Sequence, residues 1–384
     1  MRLLVAGGGT GGHVFPGIAL AEEVVTRHPV NDAVFVGTAG GLEATVAPKA
    51  GFPIELIEVR GLKGKGLAAM LRNLLLLPRA LLQSIAILKR WRPDIVVGVG
   101  GYASGPVVLA AWLLRIPTAV QEQNAVAGLT NRLLGRLVQA AFTAFPEAAR
   151  HFRPRTVYQL GNPIRRTLME NFMRPEVSRD EPRLLVFGGS QGAHALNMRV
   201  VEALPHLADL RDKLRITHQT GARDREQVEK GYRACGFEPD VREFITDMSS
   251  AYAGADLVVC RAGATTLAEL TVCRKPSILV PFPFAADNHQ VQNAKSLVDA
   301  GAAVMIEERD LTGEVLAREI RAILSDPVRR ERMARAAGRL GSPAAAREIA
   351  DVCTELVRRR WGSPTGQPRE RAENPVRPPG PAAP

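Results

Sequence analysis

The chain has 384 residues, 46% of them hydrophobic and 23% charged, and its formal net charge is +11. This composition is typical of a soluble globular protein and excludes the disordered, collagen-like and disulfide-scaffold classes. At about 100–200 residues per domain, the length predicts two domains that each bury a core. The four cysteines have neither metal-ligand nor redox spacing, so we expect reduced thiols in a cytoplasmic protein.

A repeat of the N-terminal sequence is the strongest sign of organisation. Residues 2–13 read RLLVAGGGTGGH and residues 183–194 read RLLVFGGSQGAH, with eight of twelve positions identical. Each copy is typical of a buried parallel strand, a glycine turn and a helix N-terminus whose N–H groups face outward. The repeat therefore predicts two similar α/β domains in tandem.

Short apolar runs and helix-like stretches alternate along both halves of the chain, which predicts parallel sheets with helices on both faces. A turn signal at residues 161–163 predicts the boundary between domains at residues 1–162 and 163–342. A last helix over about residues 343–361 could pack back on the first domain, and the proline-rich residues 362–384 are expected to be disordered. The expected strands are Ala33–Gly37, Ile54–Glu58, Ile95–Val99, Thr118–Gln121, Ala141–Ala144, Leu184–Phe187, Arg215–Gln219, Val241–Phe244, Leu257–Cys260, Ser277–Val280 and Ala303–Ile306. The expected helices include Ile18–Arg27, Ala125–Leu137, Ala264–Cys273 and His289–Ala300.

A basic segment carries most of the excess charge. Between Arg60 and Arg92 lie eight Lys or Arg residues and no Asp or Glu. Apolar side chains ringed by cations suit a docking site on an anionic membrane surface, and a plain core helix is the alternative. Polar residues interrupt the apolar run, so no membrane-spanning helix is expected. Because Trp91 is the single aromatic residue of the segment, a nucleic-acid site is not favoured. The apolar stripe comprises Leu67, Met70, Leu71, Leu74, Leu75 and Leu77.

Three glycine-rich loops follow predicted strands, at residues 7–12, 98–106 and 188–192. The glycines could be present only because tight strand–helix turns require them. Three such loops instead favour an anionic ligand held by backbone N–H groups. The first loop also matches a dinucleotide fingerprint. A nicotinamide site would need an acidic residue at the end of the second strand, where the chain reads Val36-Gly37-Thr38. We therefore expect an anionic ligand other than a nicotinamide cofactor.

The glycine loops belong to a longer series of motifs. They are GGTGGH at 8–13, GGY at 100–102, EQN at 122–124, GGSQG at 188–192, AGATTLAE at 262–269, PFP at 281–283 and the stretch 287–294. Together they resemble the MurG-type enzymes of peptidoglycan synthesis, over about residues 1–345. This resemblance implies the α/β GT-B fold, in which two Rossmann-like domains with parallel sheets face a central cleft.

The resemblance also implies an activity. MurG-type enzymes transfer N-acetylglucosamine, with inversion, from UDP-GlcNAc to the muramyl C4 hydroxyl of lipid I, which forms lipid II. No cofactor and no metal are expected, and the chain contains no Asp-x-Asp motif. Gln121 stands where many relatives have histidine, so no role of that histidine carries over. A GT-B UDP-sugar transferase acting on another lipid or a small aglycone is the alternative.

The expected partners follow from that activity. They are UDP-GlcNAc, lipid I, an anionic membrane surface and other proteins of cell-wall synthesis, whereas nucleic acid is not expected. The protein would lie peripherally on the cytoplasmic face of the cell membrane. The first domain would approach the acceptor and the membrane, and the second would bind the donor.

Resemblance assigns the donor site residue by residue. Ser190 would hold the diphosphate at a helix N-terminus, where an N-cap serine is the alternative role. Glu269 would bind the ribose hydroxyls, the backbone of Ile245 would contact uracil, and Gln290 would contact the sugar. The remaining donor positions are Thr10, Gly11, Gly12, Asn124, Arg165, Ala264, Thr265, Thr266, Leu267 and Ala268.

His13 is the candidate general base. The acceptor hydroxyl loses a proton as it attacks, and a helix N-terminus keeps the imidazole neutral and able to accept it. The alternatives are that His13 only forms hydrogen bonds, or that Glu122 is the base. Tyr102 and Asn197 are expected to be acceptor-side residues or structural supports.

Overall fold

Two parallel sheets, one in each half of the chain, organise the structure, a computed structural model that describes residues 1–59, 67–153, 156–172 and 181–362. The strands of the first domain are β1 (Arg2–Gly7), β2 (Asp32–Gly37), β3 (Ile54–Leu56), β4 (Ile95–Gly100), β5 (Thr118–Glu122), β6 (Ala140–Thr143) and β7 (Val157–Gln159). The strands of the second are β8 (Arg183–Phe187), β9 (Arg215–Gln219), β10 (Asp240–Arg242), β11 (Leu257–Cys260), β12 (Ser277–Leu279) and β13 (Ala303–Met305).

Helices connect these strands and cover the sheets. Those of the first half are α1 (Gly11–Arg27), α2 (Glu43–Lys49), α3 (Leu67–Trp91), α4 (Ser104–Leu113), α5 (Leu129–Leu134) and α6 (Arg166–Phe172). Those of the second half are α7 (His194–Ala203), α8 (Arg225–Ala234), α9 (Met248–Gly254), α10 (Ala264–Val272), α11 (His289–Asp299), α12 (Gly313–Leu324), α13 (Pro327–Leu340) and α14 (Ala345–Trp361).

Both sheets reverse their strand order next to their first strand. The orders are β3-β2-β1-β4-β5-β6-β7 and β10-β9-β8-β11-β12-β13, and every pairing in the described residues is parallel. The reversals fall between β1 and β4 and between β8 and β11. In open α/β sheets, ligands bind outside the carboxyl ends of the strands at such reversals. The three glycine loops follow β1, β4 and β8. The predicted fold class, two Rossmann-like α/β domains with parallel sheets, is confirmed.

The expected strands are all present, with ends that differ by at most two residues, and β7 was not expected. Two helix predictions were wrong at their ends. Helix α1 begins at Gly11 rather than Ile18, because the glycines assigned to the turn already form its first residues. The helix expected over Ala125–Leu137 is confined to Leu129–Leu134. Before it, the N–H groups of Ala125 and Gly128 bond to side chains instead of to a preceding helical turn.

The last helix, α14, packs on the first domain. Ile349, Ala350, Cys353 and Val357 are buried in the same apolar cluster as the inner face of α1. Arg27 of α1 also bonds to Asp351 at 2.6 Å. The chain therefore enters the second domain and returns to the first, which ties the two units together at their ends.

Part of the basic segment lies outside the described residues. This applies to Arg60, Lys63 and Lys65 and to the side chains of residues 67–75. Residues 363–384 of the C-terminal tail also lie outside them, and the disorder of the tail stays a prediction. Within the described ranges, no helix is long and apolar enough to cross a membrane.

Candidate active site

Two helix N-termini face each other between the domains. Helix α1 has Thr10 as its N-cap and α10 has Gly263, and neither carries an acidic residue in its first turn. The Thr265 hydroxyl donates to the carbonyl of Gly12 at 3.4 Å, which brings the two ends together. Exposed N–H groups at helix N-termini attract anions, and two such ends converge here. The predicted donor positions Thr10, Gly11, Gly12, Ala264, Thr265 and Thr266 all lie at these two ends.

Two N–H groups of the first glycine loop donate hydrogen bonds within the protein. The Gly8 N–H donates to the carbonyl of Gly100 at 3.2 Å, and the Gly9 N–H donates to Glu43 Oε2 at 2.6 Å. Gly8 has a φ of +144°, and a Cβ there would lie 2.1 Å from the Glu43 carboxylate, so only glycine fits. The capacity of this loop for an external anion is therefore limited to the first residues of α1.

His13 lies on the first turn of α1 with one ring nitrogen fixed. Its Nδ1 is 3.2 Å from the Gly8 carbonyl and 3.3 Å from Thr10 Oγ1. Because a carbonyl only accepts, we assign the proton of the neutral ring to Nδ1, which leaves the lone pair on Nε2. Burial lowers the pKa of His13 below its usual 6.5, while the charges of Glu122 and Glu43 oppose this effect. At neutral pH the ring can therefore accept a proton at Nε2.

Glu122 is committed to its own loop. Its Oε1 accepts from the N–H of Asn124 at 3.1 Å, and its Oε2 accepts from Gly128 N at 3.0 Å and from Asn131 Nδ2 at 2.9 Å. The side chain is 2% exposed. Both carboxylate oxygens of Glu122 already accept hydrogen bonds from its own loop, which suits a structural role. This favours His13 over Glu122 as the base.

Asn293 joins the domains, although it was not among the predicted site residues. Its Oδ1 accepts from the N–H of Ala125 at 2.8 Å, and its Nδ2 donates to Asn124 Oδ1 at 3.2 Å and to the carbonyl of Ala262 at 3.3 Å. The residue has no exposed surface. A single amide thus connects the Glu122 loop of the first domain to the residues that precede α10. Asn124 faces this interdomain amide.

The loop after β8 differs from its expected form. Ser190 is exposed, but the N-cap of α7 is Ala193, so Ser190 is not at the helix N-terminus and is not an N-cap. The N–H of Gly192 turns back to the carbonyl of Gly189 at 2.9 Å, and Gln219 Nε2 holds that same carbonyl at 2.8 Å. Ser190 therefore lies at the outer bend of a fixed loop.

Of the two roles left open for Asn197, acceptor-side residue or structural support, its contacts fit the second. It is fully buried inside the second domain. Its Nδ2 donates to the carbonyl of Thr220 at 2.9 Å and to Asp224 Oδ2 at 2.8 Å, and its Oδ1 lies 3.1 Å from His218 Nε2. All of its polar atoms are used within this domain, so it serves as a structural support.

Glu269 lies on α10 with one of its oxygens fixed. Tyr252, fully buried, donates its hydroxyl to Glu269 Oε2 at 2.9 Å. Burial raises the pKa of Glu269, and the charge of Arg165 and this hydrogen bond act against the shift. Arg165 stacks over the ring of Phe15, 4.9 Å from its centroid, so it reaches α1 from the start of the second domain.

The remaining candidates differ in their exposure. Tyr102 is 56% exposed in the loop after β4. Gln290 Oε1 accepts from the N–H of Phe282 at 2.9 Å and so fixes the following loop. Ile245 and Leu267 are buried and Ala268 is partly buried, so Ile245 and Leu267 can offer a ligand little beyond their backbone. Within the described ranges, no group of three or more His, Cys, Asp or Glu side chains could hold a metal ion.

Comparison with known proteins agrees with this geometry. Residues 3–143 match the glycosyltransferase family 28 N-terminal domain, and residues 183–351 match the family 28 C-terminal domain. The fold and the cleft therefore define a GT-B glycosyltransferase.

Full-length relatives narrow the class further. The UDP-N-acetylglucosamine--N-acetylmuramyl-(pentapeptide) pyrophosphoryl-undecaprenol N-acetylglucosamine transferase of Anaeromyxobacter dehalogenans strain 2CP-1 is 83% identical over 383 residues, and each chain is covered to 100%. The enzyme of the same name from Myxococcus xanthus is 59% identical, with 97% of each chain covered. The crystal structure of Acinetobacter baumannii MurG superposes with a TM-score of 0.75 at 33% identity, covering 92% of this chain and 99% of that one. The chain belongs to the MurG family.

Proposed function

We propose that the chain transfers N-acetylglucosamine from UDP-GlcNAc to the muramyl C4 hydroxyl of lipid I and so forms lipid II. The observation that carries the proposal is the position of His13: its Nε2 has the lone pair, and its helix end faces the N-terminus of α10 through the Thr265–Gly12 contact. The named activity of the full-length relatives supports the choice of substrates.

The reaction is a single displacement. His13 Nε2 takes the proton of the acceptor hydroxyl as its oxygen forms a bond to the anomeric carbon of the donor. The bond from that carbon to the diphosphate oxygen breaks on the opposite side, and UDP leaves with the electron pair. Inversion at the anomeric carbon follows from attack opposite the leaving group.

Backbone dipoles stabilise the leaving diphosphate. The N–H groups at Ala264–Thr266 begin α10, and this helix end has no nearby acidic residue in its first turn. Donors that are fixed before the reaction need no reorganisation when the charge develops. Ser190 in the loop after β8 supplies a further hydroxyl and N–H. Glu269 accepts from the ribose hydroxyls with the oxygen that Tyr252 does not occupy.

A transfer assay tests the reaction directly. Radiolabelled UDP-GlcNAc is incubated with a water-soluble lipid I analogue, and the linkage in the product is analysed. An acyl-glycerol and a small aglycone serve as competing acceptors. Label in a β1,4-linked disaccharide on the lipid I analogue is expected, whereas label only in the other acceptors would overturn the proposal and favour a UDP-sugar transferase of different acceptor class.

We further propose that the first domain docks on the cytoplasmic face of the membrane. Helices α3 and α4 pack together, and they expose Leu82, Trp112 and Leu113 at 68%, 39% and 52%. Exposed cations accompany them, including Lys89 and Arg115. Apolar side chains among cations suit insertion into an anionic surface, at about 1 kcal/mol per basic residue.

Vesicle sedimentation tests this docking. Wild type is expected to bind anionic vesicles at low salt and to be released by salt. Replacement of Leu82 and Leu113 by Ser should weaken binding, and transfer to a water-soluble acceptor analogue should survive. If the protein bound neutral and anionic vesicles equally, and salt did not change the binding, the proposed electrostatic attraction to the membrane would be contradicted.

A further inference from the structure

A buried carboxylate lies one peptide group away from His13. Glu43, the first residue of α2, is 1% exposed. Its Oε2 accepts from the Gly9 N–H at 2.6 Å, and the carbonyl of the same peptide group, that of Gly8, lies 3.2 Å from His13 Nδ1. Carboxylate, peptide and imidazole therefore form one continuous chain of hydrogen bonds.

The fold makes room for this carboxylate at some expense. Oε1 accepts from the N–H of Thr38 at 2.9 Å and from its hydroxyl at 3.2 Å. A Cβ at Gly37 or at Gly41 would lie 2.2 Å from Glu43 atoms, although neither glycine has a positive φ. Space for the carboxylate, and not an unusual backbone conformation, is what requires glycine at both positions.

We propose that Glu43 is a positioning residue for His13: through the Gly8–Gly9 peptide group its carboxylate fixes the Nδ1–H tautomer and stabilises the imidazolium that forms during transfer. The inference rests on the proposed function for its catalytic part. A carboxylate that accepts from an amide N–H polarises the amide and makes its carbonyl a better acceptor. The relation is that of an orienting carboxylate to a catalytic histidine, with a peptide group between them.

Other charges also act on the ring. Glu122 favours its protonated form, as Glu43 does, and His289 opposes it, while burial has the largest influence and lowers the pKa of His13. Removing the charge of Glu43 should therefore lower this pKa further. A less basic Nε2 takes a proton less readily, so turnover at neutral pH should fall.

The experiment compares Glu43→Gln with two controls in the full-length protein. Histidine resonances are followed by NMR against pH, with His13 assigned from a His13→Ala sample. Glu43→Gln should shift the His13 midpoint downward by about half a pH unit and lower kcat about two- to threefold, with UDP affinity within about twofold of wild type. Thr38→Val removes one hydroxyl bond and keeps the charge, so its midpoint should stay unchanged. Glu147→Gln removes an exposed carboxylate of the same domain and should alter nothing.

An unchanged His13 midpoint in Glu43→Gln would overturn the proposal, as would an equal shift in Thr38→Val. If Glu43→Gln does not fold, Glu43→Asp replaces it: the shortened side chain cannot hold Gly9 and Thr38 together, so a smaller shift and a loss of kcat are expected. A wild-type His13 midpoint and a wild-type kcat in Glu43→Asp would contradict the relay, by which we mean the chain of hydrogen bonds from Glu43 through the Gly8–Gly9 peptide group to His13. The titration does not depend on transfer, so a failed acceptor assay with a shifted midpoint would count against the proposed function and not against the relay.

Discussion

Asn293 offers the sharpest test of how the two domains cooperate. In Asn293→Asp, one oxygen can still accept from the N–H of Ala125, but the other replaces a donor. That oxygen then faces Asn124 Oδ1 and the carbonyl of Ala262, at the positions where the amide nitrogen donated at 3.2 and 3.3 Å. Three acceptors without a proton between them repel each other in a site with no exposed surface.

The magnitude follows from the two lost bonds. Each buried polar group left without a partner costs about 1–3 kcal/mol, so the closed arrangement loses about 2–6 kcal/mol. Opening the cleft restores water to these groups and limits the cost. A shift of about 3 kcal/mol changes the ratio of closed to open molecules by more than a hundredfold, and kcat/KM for transfer should fall accordingly. Each domain should keep its own fold.

Transfer kinetics, small-angle scattering and thermal unfolding measure these effects together. Asn293→Asp should lose activity and show a larger radius of gyration, with circular dichroism like that of wild type. Gln292→Ala is the matched control, because Gln292 is the exposed neighbour on the same helix. Wild-type kcat/KM and scattering for Asn293→Asp would refute the reasoning that this amide holds the cleft closed.

Three further predictions concern the donor site, the base and the last helix. Glu269→Ala should weaken UDP binding about 5–150-fold by calorimetry, because the buried hydrogen bond to the ribose is lost. Because the pKa of Glu269 is raised by burial, its carboxylate is lost on acidification above the pH usual for Glu, and UDP affinity should fall there. His13→Ala should lower kcat about 10²–10⁴-fold with UDP affinity retained, and a larger loss in Glu122→Gln would reverse the assignment of the base. Because burial lowers the pKa of His13, the acidic limb of the wild-type profile of rate against pH should lie below pH 6.5. Ile349→Ala should destabilise the first domain by about 2–5 kcal/mol in denaturant unfolding, and an effect under about 0.5 kcal/mol would show that α14 adds little.

The central strands could be predicted from local sequence, because the apolar runs that form them are visible in it. After their first arginine, β1 and β8 are apolar runs that lead directly into glycines, and such runs are typical of parallel strands buried on both faces. β7 was missed although β3, β10, β12 and β13 are equally short and were predicted, so its length alone does not explain the omission. Residues 125–128 have a helix-like composition, but the Glu122 and Asn293 side chains take their N–H groups. A contact from another part of the chain decided their conformation.

The site divides in the same way. Glycine loops and helix starts are visible as motifs, so His13 and Glu269 could be proposed from their surroundings. Glu43 could not, because its partner Gly9 is 34 residues away along the chain. Asn293 lies within the motif stretch 287–294, but its role could not be proposed because its partner Ala125 is 168 residues away. The two roles left open for Asn197 could not be separated for a related reason, because its burial and its bonds to Thr220 and Asp224 are not visible in any motif around it.

The two sets of groups that we propose for transfer belong to different domains, and this determines what closure of the cleft must achieve. The relay from Glu43 to His13 lies entirely in the first domain, whereas Glu269 and the start of α10 lie in the second. Neither set can act on both substrates alone, so the rate depends on the fraction of molecules in which α1 and α10 meet. Two polar contacts hold the domains together here: the Thr265 hydroxyl donates to the carbonyl of Gly12, and the Asn293 amide accepts from the N–H of Ala125. Weak polar contacts of this kind let the cleft open for UDP to leave, and an extensive apolar interface at the same place would prevent it.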